Sequence, residues 1–134
     1  MSADINDKHL TLIQGAVNRL AGNSFSLKGW SVTLVSALLA LAAKDADPRL
    51  VAIALLPALT FWGLDGYFLA QERLFRRLYA RVIDAPQSVP PFSMETDDFI
   101  GAEWATAVFS LTLRLFHGTI IATVLGALLW SATR

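Results

Sequence analysis

The side chain best placed to carry chemistry is that of Asp65, a carboxylate inside the largely apolar stretch FWGLDGYFLAQER at 61–73. Burying an ionisable group in apolar surroundings is costly, so such a residue indicates either a charged partner or a functional role. Other apolar runs of the chain contain three more ionisable side chains, those of Lys28, Arg114 and His117. If the runs lie side by side, Asp65 is predicted to pair with Lys28 or Arg114.

Together with Glu72, these residues form a predicted intramembrane charge cluster, which consists of Lys28, Asp65, Glu72, Arg114 and His117. Three roles for the cluster remain open. It is a buried ion pair that fixes the register of the helices, or a ring of charges at the mouth of an oligomeric pore. The third role is a proton relay through Asp65 and His117.

The composition indicates that these charges are held by a membrane protein. Hydrophobic residues make up 54% of the 134 residues and charged residues only 16%, whereas a soluble domain has about 25% charged residues. The length favours a single domain. The chain has no cysteine, which excludes disulfides and thiolate chemistry. Its few basic residues do not form the aromatic and basic pattern of a nucleic-acid-binding surface.

Three apolar runs are predicted to form membrane-spanning helices, because a span needs about 20 mainly apolar residues. The first is 24–43, the second is 50–70, and the third lies in a helix predicted over 97–130. Pro57 is expected to bend the second helix. The prolines of the segment 84–95 indicate a loop.

Two further segments have apolar residues on one side at helical spacing and are predicted to be amphipathic helices. The first is 4–22, and the second is 71–83, which continues the second span. Both are too polar to cross a bilayer, so they lie either on the membrane surface or, as we favour, on each other. Four arginines of the second segment define its basic face: Arg73, Arg76, Arg77 and Arg81.

The distribution of basic residues predicts the orientation of the chain. If the N-terminus is cytoplasmic, that side holds Lys8, Arg19, Lys28, Arg73, Arg76, Arg77, Arg81 and Arg114. The opposite side then holds only Lys44, Arg49 and Arg134. Because cytoplasmic segments carry the excess of Lys and Arg, we expect a cytoplasmic N-terminus and a periplasmic C-terminus.

Small side chains recur at every fourth position of the third apolar run, at Gly118, Ala122 and Gly126. Such a small-residue stripe lets a second helix approach closely. The partner helix belongs either to the same chain or to another copy of it. Three spans leave no room for an internal solute path, so a transport role would require an oligomer.

No sequence motif favours an enzyme, since the chain has neither a nucleophile elbow nor a glycine-rich phosphate loop. The acids Glu95, Asp97, Asp98 and Glu103 leave two interpretations open. They gather a divalent cation, or they form a solvated helix N-terminus or pair with Arg76, Arg77 and Arg81. We favour the second interpretation, and we expect no bound metal and no cofactor.

Three stretches of the chain resemble a widespread family of small bacterial multi-pass membrane proteins. They are NRLAGNSFSLKGW at 18–30, FWGLDGYFLAQER at 61–73, and PFSM at 91–94. The resemblance implies a bacterial source and the inner membrane, and it hints at a defence-type effector. It implies no reaction mechanism.

The sequence therefore predicts an all-α integral membrane protein with three transmembrane helices and two cytoplasmic amphipathic helices. The expected function is that of a non-enzymatic homo-oligomer that forms a pore or perturbs the membrane. One alternative is an accessory subunit whose cytoplasmic helices dock a soluble partner protein. The other is a small proton-coupled transporter. The expected partners are the lipid bilayer, further copies of the chain and a cytoplasmic protein, but not nucleic acid.

Overall fold

The computed structural model describes residues 2–96 and 100–134, and within these ranges all regular structure is helical. The five α-helices are α1 (Ser2–Asp45), α2 (Pro48–Ile53), α3 (Leu55–Asp84), α4 (Ile100–Val108) and α5 (Leu111–Ala132). A 3-10 turn, Pro86–Ser88, lies in the loop after α3. Three helical stretches are long and apolar enough to cross a membrane: Ala3–Asp45, Pro48–Asp84 and Leu111–Ala132. The all-α prediction is thus confirmed within the described ranges. Three helices have the length and composition of a membrane span, as predicted.

The first amphipathic segment and the first span are one helix in the structure, not two. The sequence predicts 4–22 and 24–43 as separate helices, whereas α1 runs through Gly22 and Asn23 without a break over 44 residues. Glycine costs a helix only about 1 kcal/mol relative to alanine, and no proline interrupts this stretch. The turns on either side are therefore enough to keep the helix continuous.

The second span begins at a capped turn and is interrupted once. Asp47 accepts a hydrogen bond from the backbone N–H of Arg49 at 2.9 Å and caps α2. The side-chain hydrogen bond from Arg49 lowers the pKa of the Asp47 carboxyl, so this cap stays ionised at neutral pH. Pro57 has no N–H to donate to the carbonyl of Ile53, and the helix is interrupted at Ala54, between Ile53 and Leu55.

The two amphipathic segments pack on each other. The first part of α1 lies against the last part of α3 and the loop that follows it, around a core of Ile13, Leu78, Val82 and Val89. His9 is buried beside this core, and its Nε2 lies 2.7 Å from the carbonyl oxygen of Ser93. The membrane-surface location of the pair remains a prediction.

A second core joins α1, α2, α3 and α5 at the other end of the molecule. It consists of aliphatic side chains, namely Val35, Ala42, Val51, Ala54, Ala58 and Val124. Along both α1 and α3, the region around Lys28 and Asp65 lies between this core and the first one. The charged residues therefore occupy the middle of the bundle.

The predicted helix over 97–130 is divided into α4 and α5 by a break at Phe109 and Ser110. Its predicted start, Asp97, lies outside the described residues. The carbonyl of Val108, which would accept from residue 112 in a continuous helix, accepts the indole N–H of Trp62 at 2.8 Å instead. A hydrogen bond from a side chain of α3 thus replaces the helical hydrogen bond that the carbonyl at the end of α4 lacks.

The packing of α4 on α3 requires a glycine at position 66. A Cβ placed on Gly66 would lie 2.2 Å from Cγ2 and 3.1 Å from Cα of Val108. Since Cα belongs to the backbone, α4 itself would have to move. A Cβ on Gly63 of the same helix would lie 4.0 Å from the Trp104 ring, which is an ordinary contact.

We therefore expect Gly66→Ala and Gly63→Ala to have opposite effects on the free energy of unfolding in detergent. Overpacking at Gly66 should cost about 1–3 kcal/mol, less the gain of up to about 1 kcal/mol from helix propensity. Gly63→Ala should show only the gain. Equal effects of the two variants would contradict the close approach of α4 to α3.

Candidate functional site

Asp65 is the centre of a polar site shared by three helices. Its side chain is 0% exposed. One carboxylate oxygen, Oδ1, accepts a hydrogen bond from the hydroxyl of Ser24 on α1. The other, Oδ2, lies 2.6 Å from Nζ of Lys28 on α1 and 2.7 Å from Nε2 of His117 on α5. We call these four residues the Asp65 cluster.

Lys28 and Ser24 reach Asp65 together because they lie four residues apart, on the same face of α1. Nζ of Lys28 also donates to the Ser24 hydroxyl at 2.9 Å. The Lys28 side chain is 20% exposed, whereas that of Asp65 is fully buried. Lys28 is therefore the charged residue through which the cluster meets its surroundings.

His117 is held on three sides. Its ring is fully buried and stacks on the indole of Trp62, with 6.1 Å between the ring centroids and 8° between the planes. Phe116 packs against it edge to face. Nε2 points to Asp65, and Nδ1 is buried with no hydrogen-bond partner among residues 2–96 and 100–134. An imidazole that donates from Nε2 to the Asp65 carboxylate fits this position.

The contacts of Asp65 offset the cost of burying its charge. A buried carboxylate is tolerated when it has both a counter-ion and hydrogen bonds for its remaining lone pairs. Lys28 supplies the counter-ion, while Ser24 and His117 supply two further donors. Because the donors come from α1 and α5, the carboxylate is satisfied only when both helices are seated on α3.

The structure brings together three of the five predicted cluster residues, Lys28, Asp65 and His117. Glu72 lies about two turns further along α3 and accepts from Arg76 at 2.7 Å. Arg114 is exposed on α5 and forms no ion pair within the described parts of the chain. Residues three apart on a helix differ in direction by about 60°, and this rotation turns His117 inward and Arg114 outward.

Three further residues of this region were missed by reasoning from the sequence. Ser24 is a direct partner of Asp65, and its spacing of four from Lys28 is the signal that could have found it. Trp62 stacks on His117 and also binds the end of α4. Trp104 donates to the carbonyl of Gly63 at 3.0 Å, and no local pattern predicts that bond.

The basic face of α3 is largely paired within the chain. Glu103 of α4, which is only 8% exposed, contacts Arg77 and lies 3.6 Å from Arg73. Arg76 pairs with Glu72, and Arg81 is half-buried and also has an interaction partner. Glu103 therefore pairs with arginines, as favoured from the sequence, while the predicted acids Asp97 and Asp98 lie outside the described residues.

The small-residue stripe faces away from the rest of the chain. A Cβ added to Gly118 or Gly126 would meet no atom of the described residues within 4 Å, and Ala122 between them is exposed. Arg114, which is also exposed, lies one turn before the half-buried Gly118. The sequence leaves open whether the stripe packs on a helix of the same chain or of another copy. In the structure it packs on none of the described helices of the same chain.

Comparison of the chain with protein-family models, with curated proteins and with solved structures gives no match. The resemblance of its three motif stretches to a bacterial membrane-protein family accordingly stays a prediction. The geometry of the Asp65 cluster and of the exposed face of α5 is the basis for assigning a role.

Proposed function

We propose that the chain is a non-enzymatic multi-pass protein of the bacterial inner membrane, which works as a homo-oligomer and forms a pore. The observation that carries the proposal is the open face of α5. Only 11% of the most apolar stretch of this helix is buried, and its small-residue stripe has no partner in the part of the chain that the structure describes. A second copy of the chain is the proposed partner.

The stripe suits a helix more closely than it suits lipid. Helices associate in a bilayer largely through van der Waals packing, which small residues improve because they let two backbones approach. The flanking Thr119 and Thr123 donate their hydroxyls to carbonyls of their own helix, at 2.6 and 2.8 Å. Their side chains therefore need no polar partner across a helix–helix contact.

A path for solutes would run between subunits and not through one of them. Within a subunit the helices enclose the aliphatic core around Val124 and the fully buried Asp65 and His117. These two residues therefore do not line the proposed path. Arg114 does, because it is exposed at the start of the stripe, and a ring of arginines at the mouth of a pore favours anions.

The proposed orientation places the N-terminus and the paired amphipathic segments in the cytoplasm and the C-terminus in the periplasm, as the distribution of Lys and Arg predicts. The alternative of an accessory subunit has less support from the structure. The cytoplasmic helices would have to dock the partner, and on the second of them Arg73, Arg76 and Arg77 already pair with acids of the same chain.

The first prediction from this proposal concerns the number of subunits in detergent or nanodiscs, measured by native mass or light scattering. We expect a closed assembly of four or more copies, which Gly126→Leu should shift to smaller species. The matched control is Gly29→Leu, because Gly29 lies in a candidate span of α1 and its Cβ position is also open. A monomeric wild type, or equal effects of the two variants, would contradict assembly through the stripe.

The second prediction concerns ion selectivity. In liposomes with a salt gradient, the wild-type protein should pass anions in preference to cations, and Arg114→Ala should reduce that preference. Arg76→Ala serves as the control, because it also removes one arginine. Arg76 lies in the amphipathic segment, away from the stripe, and pairs there with Glu72. The readout is the reversal potential, and an absence of any flux would contradict the pore.

A further inference from the structure

We propose that the Asp65 cluster is a proton-operated release of α1: when His117 takes up a second proton, Lys28 is displaced from Asp65. The inference goes beyond the proposed pore, because it concerns how the helices of a single subunit are held together. It rests on the charge balance of the cluster, on the surroundings of His117, and on the partial exposure of Lys28.

The charge balance of the cluster leaves room for only one positive partner. Lys28 and Asp65 carry opposite charges 2.6 Å apart, and His117 completes the site by donating from Nε2 to the same oxygen, Oδ2. A second proton on the imidazole adds one positive charge that no other carboxylate among residues 2–96 and 100–134 offsets. An uncompensated buried charge is strongly destabilising, so one of the two cations has to leave.

Of the two cations, Lys28 is the more exposed, and apart from the cluster its Nζ contacts the face of the Phe116 ring, 5.9 Å from the ring centroid. His117 is enclosed by Trp62 and Phe116 and has no exposed surface. The Lys28 side chain is already 20% exposed, and a lysine can extend its flexible stem toward an interface. Protonated His117 would therefore keep its hydrogen bond to Asp65, while Lys28 would move away from the carboxylate. The helix α1 would then lose the ion pair that holds it against α3.

The groups that face His117 are few. Lys28 approaches from α1 and Asp65 from α3. The charged residue of α4, Glu103, is occupied by Arg77 and Arg73. Histidine is the side chain whose charge ordinarily changes between pH 5 and 8, and the chain has only two of them. The second, His9, lies in the other core beside Ser93 and offers an internal control.

A proton can reach the cluster but does not pass beyond it. From the partly exposed Lys28, hydrogen bonds lead through Ser24 to Oδ1 of Asp65. On the far side lies the aliphatic core of Val35, Ala42, Val51, Ala54, Ala58 and Val124, none of which titrates. This arrangement favours a switch that responds to protons over a relay that carries them across the membrane.

The sign of the pH effect follows from linkage. If the second proton on His117 costs the folded chain the contact between Lys28 and Asp65, stability falls as the pH falls through the range in which histidine gains charge. A favourable Asp65–imidazolium pair that tolerates Lys28 would give the opposite sign. Equilibrium unfolding in detergent between pH 8 and 5 therefore distinguishes the two cases.

The experiment compares the wild type with His117→Gln, His9→Gln and Lys28→Met. We expect a several-fold rise in the unfolded fraction, at fixed denaturant, from pH 8 to pH 5 in the wild type and in His9→Gln. The rise should be lost in His117→Gln, which cannot be charged. It should also be lost in Lys28→Met, because no surplus cation remains to be expelled.

Stability that rises in acid, or a response that survives in His117→Gln or in Lys28→Met, would overturn the proposal. Should His117→Gln fail to fold, the Lys28→Met variant still decides it. The same measurements in a Gly126→Leu background separate this inference from the proposed assembly. If the chain does not oligomerise, the pH response is still expected within each subunit.

Discussion

The constraint on which this structure depends is the burial of one carboxylate. Asp65 is fully buried in α3, and its donors come from Ser24 and Lys28 on α1 and from His117 on α5. Removing one partner of a buried ion pair typically costs about 3–5 kcal/mol, because it leaves the other charge uncompensated. Aliphatic contacts in the two cores tolerate small shifts, whereas these bonds do not. The cluster therefore joins α1 and α5 to α3 at one level of the bundle, and the cores fill the space on either side of it.

The residues next to Asp65 extend this constraint to α4. Trp62 stacks on His117 and donates to the carbonyl of Val108, which couples the cluster to the break between α4 and α5. Gly66 admits Val108 at a distance that no larger residue allows. The short segment 62–66 is thus in contact with all the long helices and with α4. This concentration of contacts gives a physical reason for the unusual sequence of aromatic residues, glycines and a carboxylate.

The sequence predicts the fold class and the residue at the centre of the site, but it does not predict which side of each helix faces the other helices. Length and composition predict the three candidate spans, and the cost of burial singles out Asp65. Whether Arg114 or His117 contacts Asp65 depends on which side of α5 faces inward. Because α5 is apolar around its circumference, its sequence carries little information on which side that is. The break at Ser110 depends on a bond from Trp62 to Val108, which are 46 residues apart. The sequence predicts separate helices over 4–22 and 24–43, but Gly22 and Asn23 each cost a helix at most about 1 kcal/mol relative to alanine, so α1 continues through them.

The central claim is that Asp65 and His117 hold α3 and α5 together through a direct contact. A double-mutant cycle with Asp65→Asn and His117→Gln, read as the free energy of unfolding in detergent at pH 8, tests it most directly. Contacting residues of one buried network show coupling energies of about 0.5–3 kcal/mol, and we expect a value of at least about 1 kcal/mol here. Additive effects of the two substitutions would show that the two side chains do not interact, and would contradict the account.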